Sequence, residues 1–158
     1  YTHYQKLLIF KKFWSIMKFF RKQHINPIAI IQRETHLIKE HYSFIECKAL
    51  NGGLYCYGKY QPTPESVTYH YRIKYIPTNR PVVTLTNPII EYNDDIHMYP
   101  KDNSLCLFHS SDLVWDATCH LYDTIIPWTH EWFVFYELYL FTGKWLHPFV
   151  PHKKEEKN

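Results

Sequence analysis

Between residues 43 and 86 the chain alternates apolar and polar side chains with period two, and the alternation is cut repeatedly by residues that bend a backbone. Asn51-Gly52-Gly53 supplies the positive φ of a tight hairpin turn, Gln61-Pro62-Thr63-Pro64 breaks the ladder, and the turn over 77–81 has proline at both ends. The spacing predicts strands over 43–50, 54–60, 66–76 and 82–86, with Pro88 ending the last. Four successive strands joined by short turns make an antiparallel meander, and such a sheet needs a cover for its apolar face.

Helices on either side can provide it. Asn26-Pro27 is a helix start, with Asn as cap and Pro in the first turn. Ile28, Ile31, Leu37 and Ile38, set among polar Gln32, Arg33 and Glu34, predict a helix running to about residue 42. After Pro88 roughly twenty-five residues show no period, a length that in a compact domain marks a functional or disordered loop. Its aromatic and apolar content, with His97, Cys106, His109 and Trp115, argues that it is ordered. Helices are predicted over 117–126 and 128–141, interrupted by Pro127 and stopped by Gly143. The expected class is α+β: an N-terminal helix, a four-stranded antiparallel meander, a long loop and two C-terminal helices. One domain is expected over 26–152, between a basic segment at 1–25 and a solvated tail at 153–158.

Charge narrows the function. The formal net charge is +3, yet residues 1–25 hold six basic residues and no acidic one, which leaves the remainder at −3. That distribution excludes a whole-domain cationic surface and argues against nucleic acid as partner. Lys11, Lys12 and Lys18 interrupt the apolar runs of the first segment, so it predicts no membrane span. It predicts a basic amphipathic helix that lies on a membrane surface, on a partner or on its own domain. Four cysteines, at 47, 56, 106 and 119, form no C-x-x-C pair and no disulfide framework, and a reducing cytoplasm is the default reading.

Two motifs lead nowhere. Gly53-x4-Gly58-Lys59 matches a phosphate-binding loop as far as the lysine, but Tyr60 stands where a hydroxyl would hold magnesium, and 54–57 is strand material. The 11 histidines and 4 cysteines are metal-ligand types without metal-ligand spacing. Neither a cofactor nor a metal is expected. His147 and His152 are the histidines that the closing segment could bring towards the long loop.

The informative stretch is His97-Met98-Tyr99-Pro100-Lys101-Asp102-Asn103-Ser104-Leu105-Cys106-Leu107, followed by Trp115. With the helix, the meander containing Gly58 and the Pro62/Pro64 turn, the proline-flanked strand before it and the helices after it, residues 26 to about 142 resemble a ubiquitin-conjugating enzyme, the second enzyme of the ubiquitin relay. Leu105-Cys106-Leu107 and the ending from Phe141-Thr142-Gly143-Lys144-Trp145 to Pro151-His152 resemble the bacterial conjugating enzymes of CBASS antiphage operons, encoded beside a cGAS-like nucleotidyltransferase, particularly those with a stand-alone conjugating domain.

The resemblance implies a bacterial, cytoplasmic transferase with Cys106 as thioester-forming nucleophile, a chemistry for which an accessible cysteine is suited. It implies that 26–152 is the catalytic domain, that the long loop is the active-site loop, and that the client is the C-terminus of the nucleotidyltransferase. It also implies an adenylating activating enzyme as a further partner, with residues 1–25 as a contact for either. His97 matches the histidine of the family's His-Pro-Asn motif, where it organises the loop. Met98-Tyr99 replace Pro-Asn, which removes the asparagine that serves the oxyanion, and Asp102, Asn103 or a backbone N–H is left as a substitute. An alternative on the same fold is a catalytically inactive module that binds the nucleotidyltransferase. A cysteine hydrolase using Cys106 with His97 or His152 is a third reading, without family signature or triad order. Cys47, Cys56 and Cys119 read as structural, as do Trp115, Trp128 and Trp132.

Overall fold

The computed structural model describes residues 26–148, so the helix expected over 1–25, the tail at 153–158 and His152 lie outside the described residues. The first helix, α1 (Pro27–His41), begins as its cap predicts: Asn26 Oδ1 accepts hydrogen bonds from the backbone N–H of Ile28 and Ala29. The meander follows as β1 (Glu46–Leu50), β2 (Gly53–Tyr60), β3 (Tyr69–Tyr75) and β4 (Val82–Asn87), paired antiparallel in chain order. Residues 43–45 and 66–68, expected as the starts of the first and third strands, are not strand. The peptide bond between Asn87 and Pro88 is cis.

The α+β class holds, with two corrections. The sheet has six strands rather than four, because the long loop contributes β5 (Met98–Tyr99) and β6 (Ser104–Leu105), in the order β1-β2-β3-β4-β6-β5. Two-residue strands carry no period in a sequence. They exist because Thr84 of β4 offers an edge to Ser104, and because the residues between Tyr99 and Ser104 form a turn.

The second correction concerns the C-terminal helices. Residues 117–120 are not helical; a π-helical turn (Leu121–Ile125) runs straight into a single α-helix, α2 (Ile126–Thr142), with Pro127 in its first turn. The Ile126 N–H reaches back to the Leu121 carbonyl, five residues away, and in that spacing Pro127 would face the Tyr122 carbonyl. Proline has no N–H to give. The hydroxyl of Tyr42 donates to Tyr122 O instead, at 3.0 Å, so the proline changes the helix type without ending the helix.

The inner sheet face is aromatic. Strand β3 alternates cleanly, with Tyr69, Tyr71, Ile73 and Tyr75 buried and His70 and Lys74 exposed. α2 lies across it: Phe133 stacks on Tyr69 at 4.6 Å, and His130 stacks on Tyr60 at 4.1 Å. The ring of Tyr71 covers Gly58, its cross-strand partner, and leaves no room for a Cβ there. Gly58 therefore serves sheet packing. Cys47 and Cys56 face each other across β1 and β2 with sulfurs 3.5 Å apart, both as thiols.

One carboxylate ties α1 to the C-terminal half. Glu34, fully buried, accepts from Arg33 Nε at 2.9 Å, His120 Nδ1 at 3.0 Å and the backbone N–H of Leu121 at 2.7 Å. Arg33 continues the link by donating to the carbonyls of Ala117 and Cys119. Removing one partner of such a cluster strands the others in the interior. Glu34→Ala is expected to cost about 3 kcal/mol or more in urea unfolding, against about 1 kcal/mol or less for Glu40→Ala, whose pairing with His36 is exposed.

His130 generates a second expectation. Burial pushes its pKa down to about 4, and its Nε2 accepts from the Tyr71 hydroxyl at 2.8 Å. The unfolded chain binds the proton more tightly, so this contribution to stability is complete above about pH 6.5. It is lost as the pH falls through about 4. His130→Gln, which keeps an acceptor for Tyr71, is expected to flatten the fall in thermal midpoint between pH 6.5 and 4.

Candidate active site around Cys106

Cys106 leaves β6 at the point where the hairpin opens. Met98 pairs with Leu105 and Tyr99 with Ser104, and the next rung is the Cys106 N–H donating to the His97 carbonyl at 3.0 Å. The same carbonyl accepts from Trp132 Nε1 of α2 at 2.9 Å. His97 thus meets Cys106 through its backbone, while its ring stacks on Trp145, with centroids 5.7 Å apart.

Two of the residues singled out in the sequence occupy the turn. Asp102 accepts from the Ser104 N–H, and Asn103 Oδ1 accepts from the Tyr92 N–H, each at 3.1 Å. Asn103 has φ +52°, a left-handed conformation that asparagine tolerates better than most side chains. Its hydrogen bond fastens the hairpin tip to the chain leading into the loop.

The sulfur has a side-chain neighbour that the sequence did not mark as functional. Cys106 Sγ donates to the hydroxyl of Tyr99 at 3.3 Å, and the Arg80 guanidinium carbon lies 5.0 Å from the centre of the Tyr99 ring. Arg80 also sits 4.2 Å from the centre of the Phe108 ring and donates to the Phe108 carbonyl. One cation therefore bridges the residues on both sides of Cys106. Burial, followed by the hydrogen bond to Cys106, pushes the Tyr99 hydroxyl up to about 12, against an opposing pull from Arg80. The phenol keeps its proton through the physiological range. Turn-forming Pro100-Lys101-Asp102-Asn103 could have signalled the hairpin that brings Tyr99 to the sulfur, but Arg80, in a different turn, left no trace.

On its other side Cys106 opens onto a cavity of about 520 Å³. Phe108, Leu113, Trp128, Trp132 and Trp145 give it apolar walls, and His109, Asp112, Glu131 and His147 give it polar ones. His147 Nε2 lies 3.7 Å from Glu131. Among the described residues no group of three or more His, Cys, Asp or Glu side chains is placed to hold a metal ion. The four cysteines differ in setting: Cys56 is buried, whereas Cys47, Cys106 and Cys119 are half-buried.

Comparison with known families decides the larger question. Residues 34–153 match the family described as Type II CBASS E2 protein, E2-CBASS. The chain belongs to this family. The match spans α1 from the buried Glu34 onward, the whole sheet, the Cys106 loop and α2, so the E2-CBASS assignment rests on the domain as a unit. It gives the protein a conjugating-enzyme-like role in CBASS defence. No curated protein matches the chain. Among the described residues no helix is long and apolar enough to cross a membrane.

The turn geometry of the E2-CBASS protein makes a prediction. Asn103→Ala loses both the tolerated left-handed conformation and the Tyr92 bond, and is expected to cost roughly 1–3 kcal/mol in thermal or urea unfolding. Asn103→Gly, which loses only the bond, is expected to cost less.

Proposed function

We propose that the protein is a ubiquitin-conjugating-like acyltransferase that carries the C-terminus of a cGAS-like nucleotidyltransferase on Cys106 as a thioester and passes it to a target, so regulating the cyclase. The observation that carries this reading is the setting of Cys106: half-buried, at the mouth of the hairpin, hydrogen-bonded to Tyr99 on one side and lining the cavity on the other. Membership of the E2-CBASS family supports the reaction class.

The chemistry follows from the cysteine. Its thiolate attacks the carbonyl carbon of an adenylated C-terminus supplied by an activating enzyme, a carbon–sulfur bond forms and AMP leaves. An amine then attacks the thioester carbonyl, the carbon–sulfur bond breaks, and the amine proton passes to solvent. The apolar walls beside the sulfur suit an acyl chain that must be shielded from water until the amine arrives. His97, Asp102 and Asn103 act as loop support in this reading: a backbone rung and two side-chain bonds hold Cys106 against the hairpin. The catalytic unit is the domain over 26–152, working in the bacterial cytoplasm.

Intact mass spectrometry of the protein co-expressed with the neighbouring nucleotidyltransferase tests the proposal. An adduct is expected with wild type and absent with Cys106→Ala, while Cys47→Ser and Cys119→Ser retain it. Cleavage by a thiol reductant would sort a thioester or disulfide from an isopeptide. An adduct that persists in Cys106→Ala would overturn the reading. No adduct in any form would favour a module that binds the nucleotidyltransferase without conjugating it.

A further inference from the structure

The strand pairing that sets Tyr99 opposite Ser104 leaves its hydroxyl 3.3 Å from the sulfur of Cys106, a residue two places further along the partner strand. We propose that Tyr99 is a catalytic residue, its O–H donating the hydrogen bond that stabilises the Cys106 thiolate both as it attacks and as it leaves, with Arg80 as the positioning residue that holds the phenol in place. The chemistry assigned to the thiolate rests on the conjugating reading above.

The geometry allows the exchange without movement of heavy atoms. With Cys106 as a thiol, Sγ–H donates to the phenol oxygen. When the thiol proton leaves for solvent, the phenol O–H rotates towards the sulfur and donates to it, and a hydrogen bond to a charged acceptor is stronger than one between neutral groups. The proton stays on Tyr99, consistent with the upward push on its hydroxyl, so Tyr99 acts as a donor and not as a base. In transfer, the amine nitrogen bonds to the acyl carbon, the carbon–sulfur electron pair returns to sulfur, and the thiolate meets the same O–H. Arg80 holds the arrangement from behind, packed on the Tyr99 and Phe108 rings and bonded to the Phe108 carbonyl. Among the described residues, the titratable groups that line the cavity beside Cys106 are His97, His109, Asp112, Glu131 and His147.

The readout is the pH profile of alkylation of Cys106 by iodoacetamide, followed on the full chain by mass mapping of the Cys106 peptide. The mapping separates Cys106 from Cys47, whose pKa is lowered by its hydrogen bond with Cys56 and which therefore competes for reagent. Tyr99→Phe keeps the ring that Arg80 packs on and removes the hydroxyl, with its hydrogen bonds to Cys106 and Arg80. It is expected to shift the alkylation profile of Cys106 to higher pH, so that the thiol reacts several-fold more slowly at neutral pH. Site-specific 3-fluorotyrosine at 99, nearly isosteric and a stronger donor, is expected to shift the profile the other way. A Tyr99→Phe profile that superimposes on wild type overturns the proposal; should that variant not fold, an unshifted fluorotyrosine profile overturns it equally. Alkylation needs no client, so this failure is distinct from persistence of the adduct in Cys106→Ala.

Discussion

A buried carboxylate fixes the N-terminal helix against the C-terminal half of this domain. Glu34 comes from α1, near the beginning of the described chain, and its acceptors are filled from Arg33, His120 and the Leu121 N–H. A charge in the interior is tolerated only when its hydrogen-bonding capacity is met, so the position of 117–121 relative to α1 is tightly specified. From Leu121 the π-helical turn feeds α2. α2 then aims Trp132 at the His97 carbonyl, which also receives the Cys106 N–H. A chain of directed bonds thus runs from α1 to the backbone of the candidate nucleophile.

The aromatic content of the sequence has two uses within this frame. On the sheet face, tyrosines and Phe133 make the broad contacts that seat α2, and the hydroxyls of Tyr69 and Tyr71 find Glu137 and His130 as partners. Around Cys106, rings form walls: Phe108, Trp128, Trp132 and Trp145 line the cavity, and Tyr99 and Phe108 pack on Arg80. The nucleophile candidate therefore adjoins a cavity with aromatic walls and a cation-backed hydroxyl. An acyl thioester calls for both kinds of surroundings, one to exclude water and one to accommodate charge on sulfur.

Much of the fold was legible because it rests on local rules. The cap at Asn26, the hairpin at Asn51-Gly52-Gly53 and the alternation of β3 each follow from contacts within a few residues. Gly58 is legible as a strand residue from its neighbours, although the ring that demands a glycine there belongs to the next strand. The failures have a common source. β5 and β6 are too short to carry a period and form on an edge provided by β4, and Pro127 reads as a break because the Tyr42 hydroxyl that satisfies the Tyr122 carbonyl lies far away in sequence.

By itself the sequence determined the α+β class and the resemblance with which the family assignment agrees, since these reside in periodicity, turn residues and a contiguous motif, and that motif marks Cys106 as the candidate cysteine. Tertiary structure alone decided what surrounds that cysteine. Tyr99 reaches the sulfur only after a hairpin forms, Arg80 only after the turn before β4 folds against the loop, and the cavity only after α2 is seated. Each is a contact between segments whose separation along the chain leaves no local mark, because the side chains involved obey no spacing rule until the backbone brings them together.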